Sequence, residues 1–89
     1  SLHQNYPNPF NPETNIRFDV AKNKHVNIIV YNLIGQKVAT LLNKQMNVGS
    51  YNIKWNGLSD KGLALPSGIY FYEMKTLGFH SINKLVLVK

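Results

Sequence analysis

From Thr14 onward the apolar positions of the chain recur at every second residue, the period of a strand with one buried face. Ile16, Phe18 and Val20 alternate with Asn15, Arg17 and Asp19, which predicts a first strand over 14–20. After a polar break at 21–24, Val26, Ile28 and Val30 share one face of a second strand over 25–31, with Asn27, Ile29 and Tyr31 on the other. Asn32-Leu33-Ile34-Gly35 has turn residues at both ends, so 36–42 is expected to return as a hairpin partner, with a short helix as the competing reading. Residues 43–49 are polar and end in glycine, and Tyr51, Ile53 and Trp55 then alternate with Ser50, Asn52 and Lys54 in a fourth strand.

Asn56-Gly57 stops that strand, and the polar run through Asp60-Lys61-Gly62 predicts a long loop followed by a short edge strand at 63–65. Beyond Pro66-Ser67-Gly68, the stretch 69–74 is apolar on both faces, as expected of a strand in the middle of a sheet. Thr76-Leu77-Gly78 connects it tightly to a last strand over 79–88, where the alternation changes phase around Asn83-Lys84 and predicts a bulge. Short strands separated by turn signals, without an amphipathic helix, describe an all-β chain: an immunoglobulin-like antiparallel β-sandwich of six or seven strands. Ile16, Phe18, Val26, Ile28, Val30, Ile53 and Trp55 share the inward phase and are the expected core.

The first 13 residues break the pattern. Asn5-Tyr6-Pro7-Asn8-Pro9-Phe10-Asn11-Pro12 spaces prolines so that each forces its predecessor away from helix. Residues 1–13 are therefore expected to form an arm packed on the sandwich of 14–89, anchored by Tyr6 and Phe10, its prolines reducing the entropy lost on docking.

Eighty-nine residues suffice for one domain with a modest core, and 44% hydrophobic against 16% charged residues argues for a folded chain. With no cysteine, disulfides, thiolate metal sites and cysteine nucleophiles are excluded. No apolar run reaches the length of a membrane-spanning helix and the amino end has no leader pattern, so membrane insertion is not expected. The formal charge of +6 favours anionic partners, but the lysines are spread evenly and form no basic block, which argues against nucleic acid.

The chemistry-bearing residues are sparse. His3, His25 and His80 have no metal-ligand spacing, and Asp60 stands alone in its loop, so no metal or other cofactor is expected. Glu13, Asp19, Asp60 and Glu73 are the entire carboxylate supply, with nothing to single out an acid–base pair, and Ser67 lacks a nucleophile elbow. A non-catalytic domain is expected. Trp55, Tyr51, Tyr70 and Tyr72 either fill the core or, if exposed in a row, form a platform for sugars.

The segment Leu2-x-Gln4-Asn5-Tyr6-Pro7-Asn8-Pro9-Phe10-Asn11-Pro12-x-Thr14-x-Ile16-x-Phe18 closely resembles the start of the type IX secretion system (Por secretion system) C-terminal sorting domain, type A. The resemblance continues through Val30-Tyr31-Asn32-x-x-Gly35-x-x-Val38, Gly49 to Trp55-Asn56-Gly57, Asp60-x-Gly62, Ser67-Gly68-Ile69-Tyr70-Phe71-Tyr72 and Lys84-Leu85-Val86-Leu87-Val88-Lys89. Asn56 departs from it where acidic residues are common, and Leu58 where a polar residue is usual.

The resemblance implies a non-catalytic sorting label at the carboxy-terminal side of a cargo domain. Such a label takes its cargo through the periplasm of a Gram-negative bacterium to the type IX secretion translocon and the cell surface or extracellular space. It is commonly removed by a sortase-like peptidase that attaches the cargo to the surface. The family's later motifs fall on Pro66, Gly68, Tyr70, Lys84, Val86, Val88 and Lys89, the candidate sorting and recognition residues. Among these the valines are expected to fill the core, and Lys84 and Lys89 to meet the partner, since lysines seldom stay buried. The competing readings are a carbohydrate-binding or adhesive module and a self-associating one with an uncovered edge strand.

Overall fold

Six strands make up the computed structural model, which describes Ser1–Lys89: β1 (Thr14–Val20), β2 (Lys24–Asn32), β3 (Lys37–Met46), β4 (Gly49–Trp55), β5 (Gly68–Thr76) and β6 (Phe79–Leu87). β1 pairs with β4, and the others form a four-stranded sheet in the order β3-β2-β5-β6, every pairing antiparallel. The result is an immunoglobulin-like sandwich.

The arm supplies the strand that such a sandwich places first. It runs antiparallel along the free edge of β1, with Leu2 opposite Phe18 and Tyr6 opposite Asn15. It then crosses at the prolines and pairs in parallel with the other sheet, Phe10 opposite Leu87. A buried polar knot makes the crossing. Asn5 Nδ2 donates to the Pro7 carbonyl (3.1 Å) and to Thr14 Oγ1 (3.0 Å), and Thr14 Oγ1 donates to the same carbonyl (2.8 Å). Asn5 and Thr14 are the two buried polar residues, and no buried side-chain polar atom lacks a partner, so the knot carries no desolvation penalty from unmade bonds. Phe10 is buried while Tyr6 is 79% exposed, so one of the two expected anchors holds the arm and the other faces solvent.

One phase of β1, β2, β5 and β6 points inward. Ile16, Val30, Trp55, Tyr70, Tyr72, Leu85 and Leu87 form the larger core cluster with Phe10 and Ala39. Phe18, Val20, Val26, Ile28, Met46 and Met74 form the smaller. Six of the seven expected core residues are buried; Ile53 is only half-buried, because β4 is an edge strand with no neighbour beyond it to complete the cover.

Three further differences concern strand limits. β3 pairs with β2 as the expected hairpin partner but runs on past 42 to Met46, whose buried side chain closes the smaller cluster while Asn43, Lys44 and Gln45 stay exposed. Residues 63–65 form no strand; a single bridge joins Leu58 to Ala64, and the loop caps the outer edge of β3, where Asp60 N donates to the Val38 carbonyl (3.1 Å) and Thr40 N to Asp60 Oδ1 (2.8 Å). β6 has no bulge: its register with β5 is unbroken from Gly68 opposite Leu87 to Thr76 opposite Phe79, and the irregularities lie in the β2–β3 pairing.

The start of the arm is pinned at Asp19. Its carboxylate accepts from Ser50 Oγ (2.7 Å) and Ser1 Oγ (2.7 Å) and is bonded by His3 Nε2 (2.7 Å). The Ser50 hydroxyl, then His3 and Ser1, hold this carboxyl well below the usual carboxylate range. A carboxyl depressed in the folded state binds fewer protons than in the unfolded chain, so its stabilisation is complete above the unfolded pKa of about 4 and is lost as pH falls below it. Acid melts of Asp19→Asn are therefore expected to lose less stability between neutral pH and strong acid than the parent does. Parallel acid profiles would show that the pinning has no energetic weight.

Candidate functional site

Pairing of β5 with β6 brings the seven candidate residues to one end of the four-stranded sheet. Ile69 lies opposite Val86, Tyr70 opposite Leu85 and Phe71 opposite Lys84. Just beyond β6, Lys89 N donates to Ser67 Oγ (2.9 Å), which ties the chain end to the turn that leads into β5. The recognition candidates are thus one contiguous region.

Their roles divide. Tyr70 is 5% exposed, its ring edge-on to Trp55 at 6.2 Å, and its hydroxyl donates to the Pro66 carbonyl (2.6 Å). A buried tyrosine at the start of this strand bonding to backbone a few residues upstream is the tyrosine corner of immunoglobulin-like sandwiches. Burial pushes the Tyr70 phenol above its ordinary pKa, which keeps it the donor this bond needs. Pro66 and Tyr70 therefore build the corner, and Tyr70 presents no surface to a partner. Gly68 has φ +155° with open space where a Cβ would stand, so backbone conformation, not crowding, explains the glycine.

The expected core role of Val86 and Val88 is corrected. Val86 is half-buried on the outer face and Val88 is 45% exposed, whereas Leu85 and Leu87 point inward and are fully buried. Lys84 and Lys89 are both exposed, as expected. Sequence reading missed the leucines because both phases of β6 are apolar; their signal was that they fall opposite Tyr70 and Gly68 across the sheet, which only the register reveals.

The arm covers the outer edge of this end of β6. Phe10 N donates to the Val86 carbonyl (3.0 Å), Val88 N to the Phe10 carbonyl (3.0 Å), Val86 N to Asn8 Oδ1 (2.9 Å) and Gln4 Nε2 to the Lys84 carbonyl (2.7 Å). The backbone from Lys84 to Val88 is therefore occupied, and a partner can meet the side chains there but not add a strand. On the opposite edge of that sheet the loop covers β3 at Val38 and Thr40.

Of the aromatics, Trp55, Tyr70 and Tyr72 are buried and Tyr51 is half-buried, stacked on Phe18 at 5.4 Å. They fill the core instead of forming a sugar platform, so the carbohydrate-binding reading is not favoured. No helix is long and apolar enough to cross a membrane.

The chain folds like a region of three solved proteins. It matches dimeric latent PorU from Porphyromonas gingivalis with a TM-score of 0.75 at 20% identity, over 96% of this chain and 9% of that one. For PorZ, an essential surface component of the type IX secretion system of the same organism, the values are 0.63 and 15%, over 97% of this chain and 11% of that one. For FlgD from P. aeruginosa they are 0.64 and 23%, over 83% of this chain and 60% of that one. The chain thus spans about a tenth of the two Porphyromonas proteins, and at these identities the likeness concerns the fold. No curated protein sequence matches the chain significantly. The family model described as the secretion system C-terminal sorting domain matches residues 4–89, from the arm through the last strand, and the chain belongs to that family of type IX secretion sorting domains.

Proposed function

We propose that this domain is a non-catalytic address by which cargo on its amino-terminal side is handed to the type IX secretion translocon, and that the solvent-facing side chains of Lys84, Val86, Val88 and Lys89 are what the machinery reads. The family match over residues 4–89 carries the sorting role and the destination, the cell surface or extracellular space. The reading surface is argued from exposure: Leu85 and Leu87 are committed to the core and Tyr70 to the corner, which leaves the alternate residues of the last strand and the chain end open to a partner. Residues 1–13 act as the strap that keeps this strand in place, and no cofactor is needed. Removal of the label by a sortase-like peptidase, with attachment of the cargo, follows export.

The test fuses the segment behind a signal peptide and a reporter in a host that carries the secretion system. The parent fusion is expected outside the cell. Lys84→Ala with Lys89→Ala removes two exposed side chains, so the purified variant is expected to keep its stability within about 0.5 kcal/mol per site while export falls. A double variant that folds and exports normally would move the reading surface away from β6.

A further inference from the structure

The outer face of the four-stranded sheet carries a row of uncompensated charge around an apolar hollow. Register places Lys37, Tyr31, Phe71 and Lys84 in one line across β3, β2, β5 and β6, and residues directly opposite one another share a face. Both lysines are exposed and both aromatics half-buried. Beside the aromatics, a shallow hollow is lined by Tyr31, Leu33, Phe71 and Ile82 among others. Leu33 and Ile82 are 67% and 52% exposed, so the hollow is walled by large aliphatic side chains left in water. The neighbouring acid, Glu73, is already occupied: Tyr31 Oη donates to its Oε1 (3.1 Å), His80 bonds its Oε2, and its side chain is 16% exposed. The two ion pairs of the chain both involve histidines, so neither Lys37 nor Lys84 has a carboxylate partner.

We propose that this face binds an extended acidic segment of a partner protein, laid across the strands with one carboxylate on Lys37, one on Lys84 and a large apolar side chain between them in the hollow. The spacing fits. Three inter-strand steps separate the lysines by about 14 Å, and an extended chain covers about 14 Å in four residues while pointing alternate side chains the same way. The segment therefore has acids at i and i+4 and an apolar residue at i+2. Charge complementarity selects an acidic partner over a second copy of this chain, which would bring its own unpaired lysines to the same face. That the partner is part of the secretion machinery rests on the sorting role of Lys84; the chemistry of the site does not.

The test titrates the purified domain with a blocked seven-residue peptide that has glutamates at its second and sixth positions, phenylalanine at its fourth and glycine or serine elsewhere. Amide shifts are expected to concentrate at Lys37, Tyr31, Phe71, Ile82 and Lys84, to saturate near about 1 mM peptide at low salt, and to weaken as salt screens the contacts. Lys37→Glu with Lys84→Glu is expected to weaken binding more than tenfold with the melting temperature kept, and a peptide with lysines in place of glutamates to give no shifts. Absence of localised shifts, an equal response to a neutral peptide, or a response confined to anionic lipid vesicles would overturn the site, as would intact peptide binding in the double variant. Lost peptide binding with undiminished reporter export would overturn only the partner's place in the machinery.

Discussion

Leu85→Ala and Leu87→Ala are each expected to destabilise the domain by about 2–5 kcal/mol, whereas Val86→Ala and Val88→Ala, one strand position away, cost about 1 kcal/mol or less. The contrast follows from the phase of β6. Leu85 is 0% and Leu87 2% exposed, both in the larger core cluster, while the valines stand on the solvent side. Leu87 also lies beside the connection after β4: a Cβ added to Gly57 would lie 3.5 Å from its methyl carbons, an ordinary packing contact. A small domain has a total stability of about 5–15 kcal/mol, so either leucine change consumes a large share of it. Urea melts of the four purified variants decide the matter. Valine variants as unstable as the leucine ones would mean that β6 presents its other face to the core.

This contrast also marks how far the sequence could be read. β1 and β2 were legible because their outward positions alternate cleanly or nearly so, and Trp55 was placed by the alternation in β4. β6 was not. Ile82, Val86 and Val88 compete with Leu85 and Leu87 for the inward phase, and what resolves the competition is the register with β5, a contact distant in sequence. The phase change read as a bulge is the same ambiguity, since an outer face that carries its own apolar hollow disguises a regular strand. β3 looked short because Asn43, Lys44 and Gln45 are solvated on both sides of a hairpin end, where period two carries no signal. In the site, the exposure of Lys84 and Lys89 was legible from residue type alone. The Tyr70–Pro66 corner was not, because that bond depends on how the chain turns from the loop into β5.

Phe10→Ala is expected to cost about 3–5 kcal/mol, with its effect concentrated on the far edge of β6. The Phe10 ring is 2% exposed and packs tilted against Trp55 at 5.6 Å, so its loss leaves a cavity between the two sheets. It also removes the side chain that fixes the second half of the arm, whose backbone bonds to β6 are few. The first half has its own support: Asn15 N donates to the Tyr6 carbonyl and Asp19 N to the Ser1 carbonyl, on β1. Hydrogen exchange therefore separates the halves. The amides of Val86 and Val88, which donate to Asn8 Oδ1 and to the Phe10 carbonyl, should lose protection through local opening, while those of Asn15 and Asp19 keep most of theirs. Phe10→Leu, which refills part of the volume, should restore protection at Val86 and Val88 along with part of the stability. If Phe10→Ala costs less than about 1 kcal/mol and both valine amides stay protected, the polar contacts of Asn8 and Gln4 hold the arm without the ring, and the buried aromatic is not what keeps this edge closed.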